Sequence, residues 1–286
     1  MGSATKIVVS GLNITAFPHP KGIYEEILKQ SADVDIHLGG SDFAKITAPE
    51  IIPDTSVAKG RICVWTEIAK DGDWFNKIKN DKASDDDKKK IYIPENIAPN
   101  YRYFFYAMDL VDHILIFESK TENNHSFGHK RAVFFFGELF GRLPTGGPSV
   151  DVTVIPEEGS VDVILNMPRL KRLKIHLTKP NPEDVSDDFA RVMNKMNLQN
   201  AKSWNQELVK ETKVEKLLPD LETKTLAYIA ETNGFVEGQS SDGIKESTQE
   251  HPKCVTVRVE ENGSSIQKFL STLAVFASVA KSIRRN

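Results

Sequence analysis

The sequence predicts a mixed α/β (α+β) protein of two packed halves. The second half is expected to be built on a β-α-β unit, followed by long helices, a small β meander and an amphipathic C-terminal helix. Three observations carry this reading. Val150, Val152 and Val154 alternate with Asp151 and Thr153, and Leu173, Ile175 and Leu177 alternate with Arg172, Lys174 and His176, the period of strands with one buried face. Between the two runs, residues 158–166 read as a short helix. Near the end, Ile266, Phe269, Leu270, Leu273, Phe276, Ala277, Ala280 and Ile283 recur at i, i+3, i+4 and i+7, one apolar stripe of a helix.

The remaining elements follow in order. Residues 6–17 form a first strand with Val8, Leu12, Ile14 and Ala16 on one face, and after the Pro18-His19-Pro20 corner a helix spans 21–30. Strands are expected near 34–38, 43–48 and 61–68. The charge run from Asp81 to Lys90 has no apolar anchor and reads as a solvated, mobile loop. Two adjacent strands, 101–107 and 111–118, precede a helix over 126–143 whose Val133, Phe136, Phe140 and Leu143 recur at helical spacing. The Gly- and Pro-rich stretch at 143–149 marks a soft boundary between halves 1–146 and 147–286.

In the second half, Asn181-Pro182-Glu183-Asp184 reads as the cap and first turn of a long helix over 183–210, with Val185, Phe189, Val192, Met196, Trp204 and Leu208 as its apolar line. A helix over 220–232 is expected to stop at a left-handed Asn233-Gly234. Two short strands around Asp242-Gly243 and a third at 253–260 complete a meander. Ser264 or Ser265 caps the last helix, and Lys281, Arg284 and Arg285 place cations at its negative end.

At 286 residues the chain can bury one large core or two smaller ones, and 40% hydrophobic with 27% charged residues is a globular balance. A formal net charge of −3 argues against coating nucleic acid through bulk charge while leaving room for a local basic patch. The two cysteines, Cys63 and Cys254, sit in expected strands and read as small buried hydrophobes in a reducing compartment. No leader precedes the first strand, and the longest apolar stretch, 270–280, is too short to cross a bilayer. These features imply a cytoplasmic protein without a membrane partner.

Four constellations could carry chemistry. Arg172, Lys174 and His176, with Arg169, Lys171 and Lys179 nearby, present cations about 7 Å apart along a strand, a spacing suited to phosphates. The alternative is a solvated face paired with acids such as Asp151 or Asp162. Tyr101, Tyr103 and Phe105 share one strand face and would stack bases if exposed, or fill a core if buried. His125 and His129, near Glu122, are spaced for a shared metal on a helix, although Gly128 and Asn123-Asn124 favour a loop or cap. Glu237, Asp242 and Lys253, with Glu246 and His251, have the acid-plus-lysine composition of a magnesium nuclease, or are simply solvated. The amide-rich set Asn194, Asn197, Asn200 and Asn205 would line one side of the long helix and bind bases or a partner, or merely keep it soluble.

Several phrases run nearly end to end: Asn13-Ile14 with Pro18-His19-Pro20, Trp74-Phe75-Asn76, Ile93-Pro94-Glu95, Val154-Ile155-Pro156-Glu157, the segment 170–182, Val236-Glu237-Gly238 and the segment 246–253. Through them the chain resembles an uncharacterised bacterial family, domain of unknown function 4747. The resemblance implies a standalone bacterial protein and an association with defence against phage or mobile elements; it assigns no catalytic residue. The expected function is intracellular RNA or DNA binding through the basic strand. The alternatives are a nuclease that requires magnesium, or an interaction subunit that docks a protein partner or a second copy of itself.

Overall fold

The computed structural model describes residues 5–32, 34–69, 71–144, 147–179, 187–259 and 265–285. The fold is mixed α+β. The first half runs β1 Thr5–Phe17, α1 Ile23–Ser31, β2 Ile36–Gly39, β3 Asp42–Ile46, β4 Glu50–Ile51, β5 Val57–Thr66, β6 Phe75–Asn76, β7 Asp81–Lys82, α2 Asp85–Lys88, β8 Arg102–Asp109, β9 Ile114–Lys120 and α3 His129–Gly141. The second runs β10 Ser149–Val154, α4 Ser160–Leu165, β11 Leu170–Thr178, α5 Asp187–Leu198, β12 Ser203–Val209, α6 Leu221–Thr232, β13 Gly234–Ser240, β14 Lys245–Ser247, β15 Cys254–Val259, α7 Ser265–Ser271 and α8 Leu273–Arg285.

A large antiparallel sheet has the order β10-β1-β9-β8-β5-β3-β2, with β15 also on β1 and β4 on β5. β15 pairs with residues 5–10 of β1 and β10 with residues 12–17, so the two lie end to end along one edge while β9 takes the other. Both halves of the sequence therefore contribute to one sheet. One of its faces is covered by α1 and α3, where Tyr24, Leu28, Phe135 and Phe136 pack on Leu12, Ile62, Phe104 and Phe117. The other is covered only in part: α7 and α8 bring Phe269 and Phe276 onto Ile7, Val9, Ala107 and Ile116. A smaller antiparallel sheet, β12-β11-β13-β14, buries Leu173, Ile175, Leu177 and Val236 against Val161, Phe189, Met196 and Leu226 of α4, α5 and α6.

The two sheets are tied by buried polar groups. Asn13 of β1 donates through Nδ2 to the Thr232 carbonyl at 2.9 Å, and the Thr153 hydroxyl of β10 donates to the same oxygen at 3.0 Å. Thr178 of β11 donates its backbone N–H and its hydroxyl to the next carbonyl, that of Asn233. Asn13→Ala is expected to lower stability by about 1–2 kcal/mol, because a buried acceptor loses one donor while keeping another. The shift of the urea midpoint measures it.

Several sequence expectations are corrected. The strands of the expected β-α-β unit, β10 and β11, lie in different sheets, so α4 links two sheets and no parallel crossover forms. The helix expected over 183–210 ends at Leu198: Asn200 takes a left-handed φ of 52° and the Ala201 N–H returns to the Met196 carbonyl, a Schellman stop. Trp204 and Leu208 belong to strand β12, as does Asn205, which separates it from the other three asparagines. The cap expected at 181–184 lies outside the described residues. No left-handed stop closes α6: Asn233 has φ −118° and Gly234 begins β13. β13 and β14 form the expected hairpin, but β15 crosses to β1 of the large sheet. The run at 81–90 contains β7 and the short helix α2, whose Ser84 and Asp87 form a reciprocal capping box; it is solvent-facing as expected. The last helix is broken at Thr272, whose N–H and hydroxyl both bond the Phe269 carbonyl and tighten the turn. Ser265 begins α7, and Ser264 lies outside the described residues.

Candidate functional site

β11 does present Arg172, Lys174 and His176 on the outer face of the small sheet, but acids from both neighbouring strands interleave with them. Arg172 Nε lies 3.2 Å from Glu207 on β12, and Lys174 Nζ lies 3.7 Å from Glu237 on β13. His176 Nδ1 is 2.7 Å from the Asn205 side-chain oxygen, and its ring stacks on Phe235 at 4.9 Å. The partners are these cross-strand glutamates and not the acids suggested by sequence: Asp151 lies 3.7 Å from Lys202, and Asp162 accepts from the Tyr228 hydroxyl at 2.6 Å. Arg169 pairs with Asp242 at 3.0 Å, Lys179 sits 4.1 Å from the Phe17 ring centroid, and Lys171 is exposed beside a register shift. The face is mixed in charge.

Glu237 and Asp242 thus engage different cations, and Lys253 follows the turn after β14, its N–H bonded to the Ile155 carbonyl. His251 Nε2 meets Glu246 at 2.7 Å. His125 lies in the turn after β9, where Asn124 has a φ of 61°, and His129 opens α3 behind a Gly128 cap. Burial, with Lys130 adjacent, holds the His129 ring below the usual histidine range. Among the described residues no three His, Cys, Asp or Glu side chains gather as a metal site.

The other face that can meet a ligand is the part of the large sheet left open by α7 and α8. The pleat of β2, β3, β5 and β8 sends alternate side chains outward there. His37, Phe43 and Trp65 lie across three strands in register, with ring centroids 4.9 and 6.3 Å apart and the last pair within 22° of parallel. One pleat along, Lys45 and Tyr103 flank Cys63; one further, Arg61 faces Phe105. Tyr101 and Tyr103 are 56% and 42% exposed, with rings 6.2 Å apart and 30° from parallel. The Arg61 guanidinium sits 5.6 Å from the Tyr103 centroid and has no ion pair among the described residues. Lys45 and Lys59, by contrast, stand 3.9 Å from Asp35 and 3.2 Å from Glu50. Phe105 ends the open area, since it meets Phe269 of α7 at 6.1 Å.

Beside this aromatic surface is a cavity of about 200 Å³ lined by Tyr101, Tyr103, Arg102, Glu118, Glu122 and His125, among others. Glu118 of β9 is only 4% exposed, and Oε2 accepts the Phe105 N–H at 2.9 Å. Burial, with the Glu122 charge nearby, pushes its carboxyl up to about 7. Sequence reading found Tyr101, Tyr103 and Phe105 but missed His37, Phe43, Arg61, Trp65 and Glu118. The missed residues come from four other strands, and only strand register brings them together. Cys63 is half-buried beside Tyr101 and Cys254 is exposed on β15, so neither is the fully buried thiol expected.

Fold and surface define a mixed α+β protein that carries an open antiparallel sheet with exposed aromatic rings. The chain belongs to the family described as Domain of unknown function (DUF4747), whose model matches residues 5–274. No curated protein matches it. Among the described residues no helix is long and apolar enough to cross a membrane.

Proposed function

We propose that this protein binds single-stranded nucleic acid, with bases stacked on the open face of the large sheet. The observation that supports this best is the exposed Tyr101–Tyr103 pair with Arg61 over it. Every base has a π-face, so an aromatic platform with a cation beside it holds unpaired bases and tracks their phosphates without reading sequence. A paired duplex hides those faces and gains little from it. The platform takes the place of the β11 face as the contact surface, because Glu207 and Glu237 already neutralise Arg172 and Lys174. A bacterial defence component, the setting implied by the family resemblance, is part of the same proposal.

The test is binding of labelled single- and double-stranded RNA and DNA at two salt concentrations, with and without magnesium. Single strands are expected to bind better than duplexes. With Arg61 as the phosphate contact that has no ion pair among the described residues, the salt slope should be shallow, about −0.7. Tyr103→Ala should weaken single-strand binding about tenfold, since one stacked base contributes about 1–3 kcal/mol. Combined alanine replacement of Arg172, Lys174 and His176 should leave it intact. Loss in that triple variant but not in Tyr103→Ala would move the site to β11, and product shortened only with magnesium, and lost in Asp242→Ala, would make the protein a nuclease. Absence of binding to all four probes would overturn the proposal in favour of a protein partner.

A further inference from the structure

The cavity beside Tyr101 and Tyr103 has a polar lining. Glu118 and Glu122 supply acceptors, His125 brings an imidazole, and tyrosine rings form the wall. At about 200 Å³ it is smaller than the roughly 300–1,000 Å³ of sites for drug-sized ligands, so it suits one planar group. Glu118 is 4% exposed; Oε2 accepts the Phe105 N–H, while Oε1 takes no hydrogen bond among the described residues and keeps some access to solvent. An oxygen so placed can accept donors from a ligand.

We propose that the cavity takes one guanine of the bound strand, with the Glu118 carboxylate accepting hydrogen bonds from guanine N1–H and the N2 amino group. The inference rests on the aromatic platform described above. Guanine is the base whose pairing edge offers two adjacent donors, which an ionised carboxylate matches. Cytosine and adenine set an acceptor beside their amino group, and uracil flanks its single donor with two acceptors, so each brings an acceptor against the carboxylate. Guanine O6 would lie toward His125.

Because Glu118 titrates at about 7, guanine preference should strengthen as pH rises through that value. The groups around it are Tyr101, just before β8, Tyr103 of β8, and Glu122 and His125 from the turn after β9; Arg102 of β8 also borders the cavity but holds its guanidinium on Asp42, and Ile7 of β1 and Ser265 of α7 carry no charge.

The experiment compares labelled oligo(U), oligo(U) with one central guanine, and the same strand with inosine, which lacks the N2 amino group. Polarisation titrations at about pH 6 and about pH 8 bracket the Glu118 titration. The guanine strand should bind about tenfold tighter than oligo(U) at the higher pH, with inosine between them and the ratio smaller at the lower pH. Glu118→Gln, which sets an amide donor against the guanine donors, should collapse the guanine-to-uracil ratio to about one. Trp65→Ala, on the platform and away from the cavity, should weaken all three strands alike. Equal binding of all three by the unaltered protein, or a guanine preference that survives in Glu118→Gln, would overturn the pocket assignment and leave the platform standing. No binding of any strand would overturn both.

Discussion

Gly234→Ala is expected to destabilise the small sheet by about 4 kcal/mol or more, beyond the range of ordinary point substitutions. Gly234 is the first residue of β13 and pairs with Leu177 of β11. A Cβ built there would run into the His176 carbonyl oxygen, with the Leu177 backbone just behind it. The obstacle is main chain fixed in a ladder, so no rotamer change relieves it and the two strands must move apart. That movement would also disturb the stacking of Phe235 on His176 and the approach of Glu237 to Lys174. Gly243 provides the contrast. It lies in the β13–β14 turn at φ +88°, with nothing within 4 Å of a Cβ, so Gly243→Ala should cost only the left-handed strain, about 1 kcal/mol. Urea midpoints of the two variants separate collision from strain. Equal midpoints would mean that β13 is free to shift.

Gly234 also shows where sequence reading stops. Asn-Gly after a helical run reads as a left-handed stop, yet here glycine answers a close backbone approach from β11, a strand 57 positions away in sequence. Period reading succeeded where an element has one buried face and an uninterrupted pattern. The inward Leu173, Ile175 and Leu177 of β11, and the buried Phe136 and Phe140 of α3, are instances. It failed at β12, where Gln206 occupies an inward position and bonds Thr223, leaving Trp204 and Leu208 at a spacing that also fits a helix. It failed again at sheet membership, because alternation identifies a strand and says nothing of its neighbours.

The site was legible to the same degree. Tyr103 and Phe105 lie on one face of β8 and Tyr101, just before it, continues the alternation, which alone identified them. Whether that face was core or surface depended on how far α7 and α8 reach across the sheet, which no local pattern encodes. Arg172, Lys174 and His176 were placed on the right face, but their meaning changed once register set Glu207 and Glu237 opposite them. Glu118 sits in an apolar run, Ile114-Leu115-Ile116-Phe117, where an acid reads as the end of the strand rather than as a buried carboxyl.

A second buried carboxyl makes stability itself depend on pH. Glu231 of α6 is 5% exposed, with Oε1 lacking a hydrogen-bond partner among the described residues. Burial pushes it up to about 7; the Val161 N–H opposes this, and the charges of Asp162 and Glu158 add to it. In the unfolded chain the same group titrates near 4.5. Its contribution is therefore complete below about pH 4.5 and is lost as pH climbs through about 7, by about 1.4 kcal/mol per pH unit between those values, or about 3 kcal/mol in all. Glu118 behaves in the same sense over the same window. Asp42, held at about 2 by Arg131 and Arg102, changes only in stronger acid, and His129, held low by burial, acts in the opposite sense at the acid end. Between about pH 5 and about pH 8 the two glutamates thus dominate. Glu231→Gln should leave stability near that of the unaltered protein at the acid end and raise it by about 3 kcal/mol at the alkaline end, halving the decline and leaving the half due to Glu118. Urea midpoints across this range decide it: an unchanged decline in Glu231→Gln would mean that the carboxyl ionises without cost, and a reversed one that a cation reaches it in the folded chain.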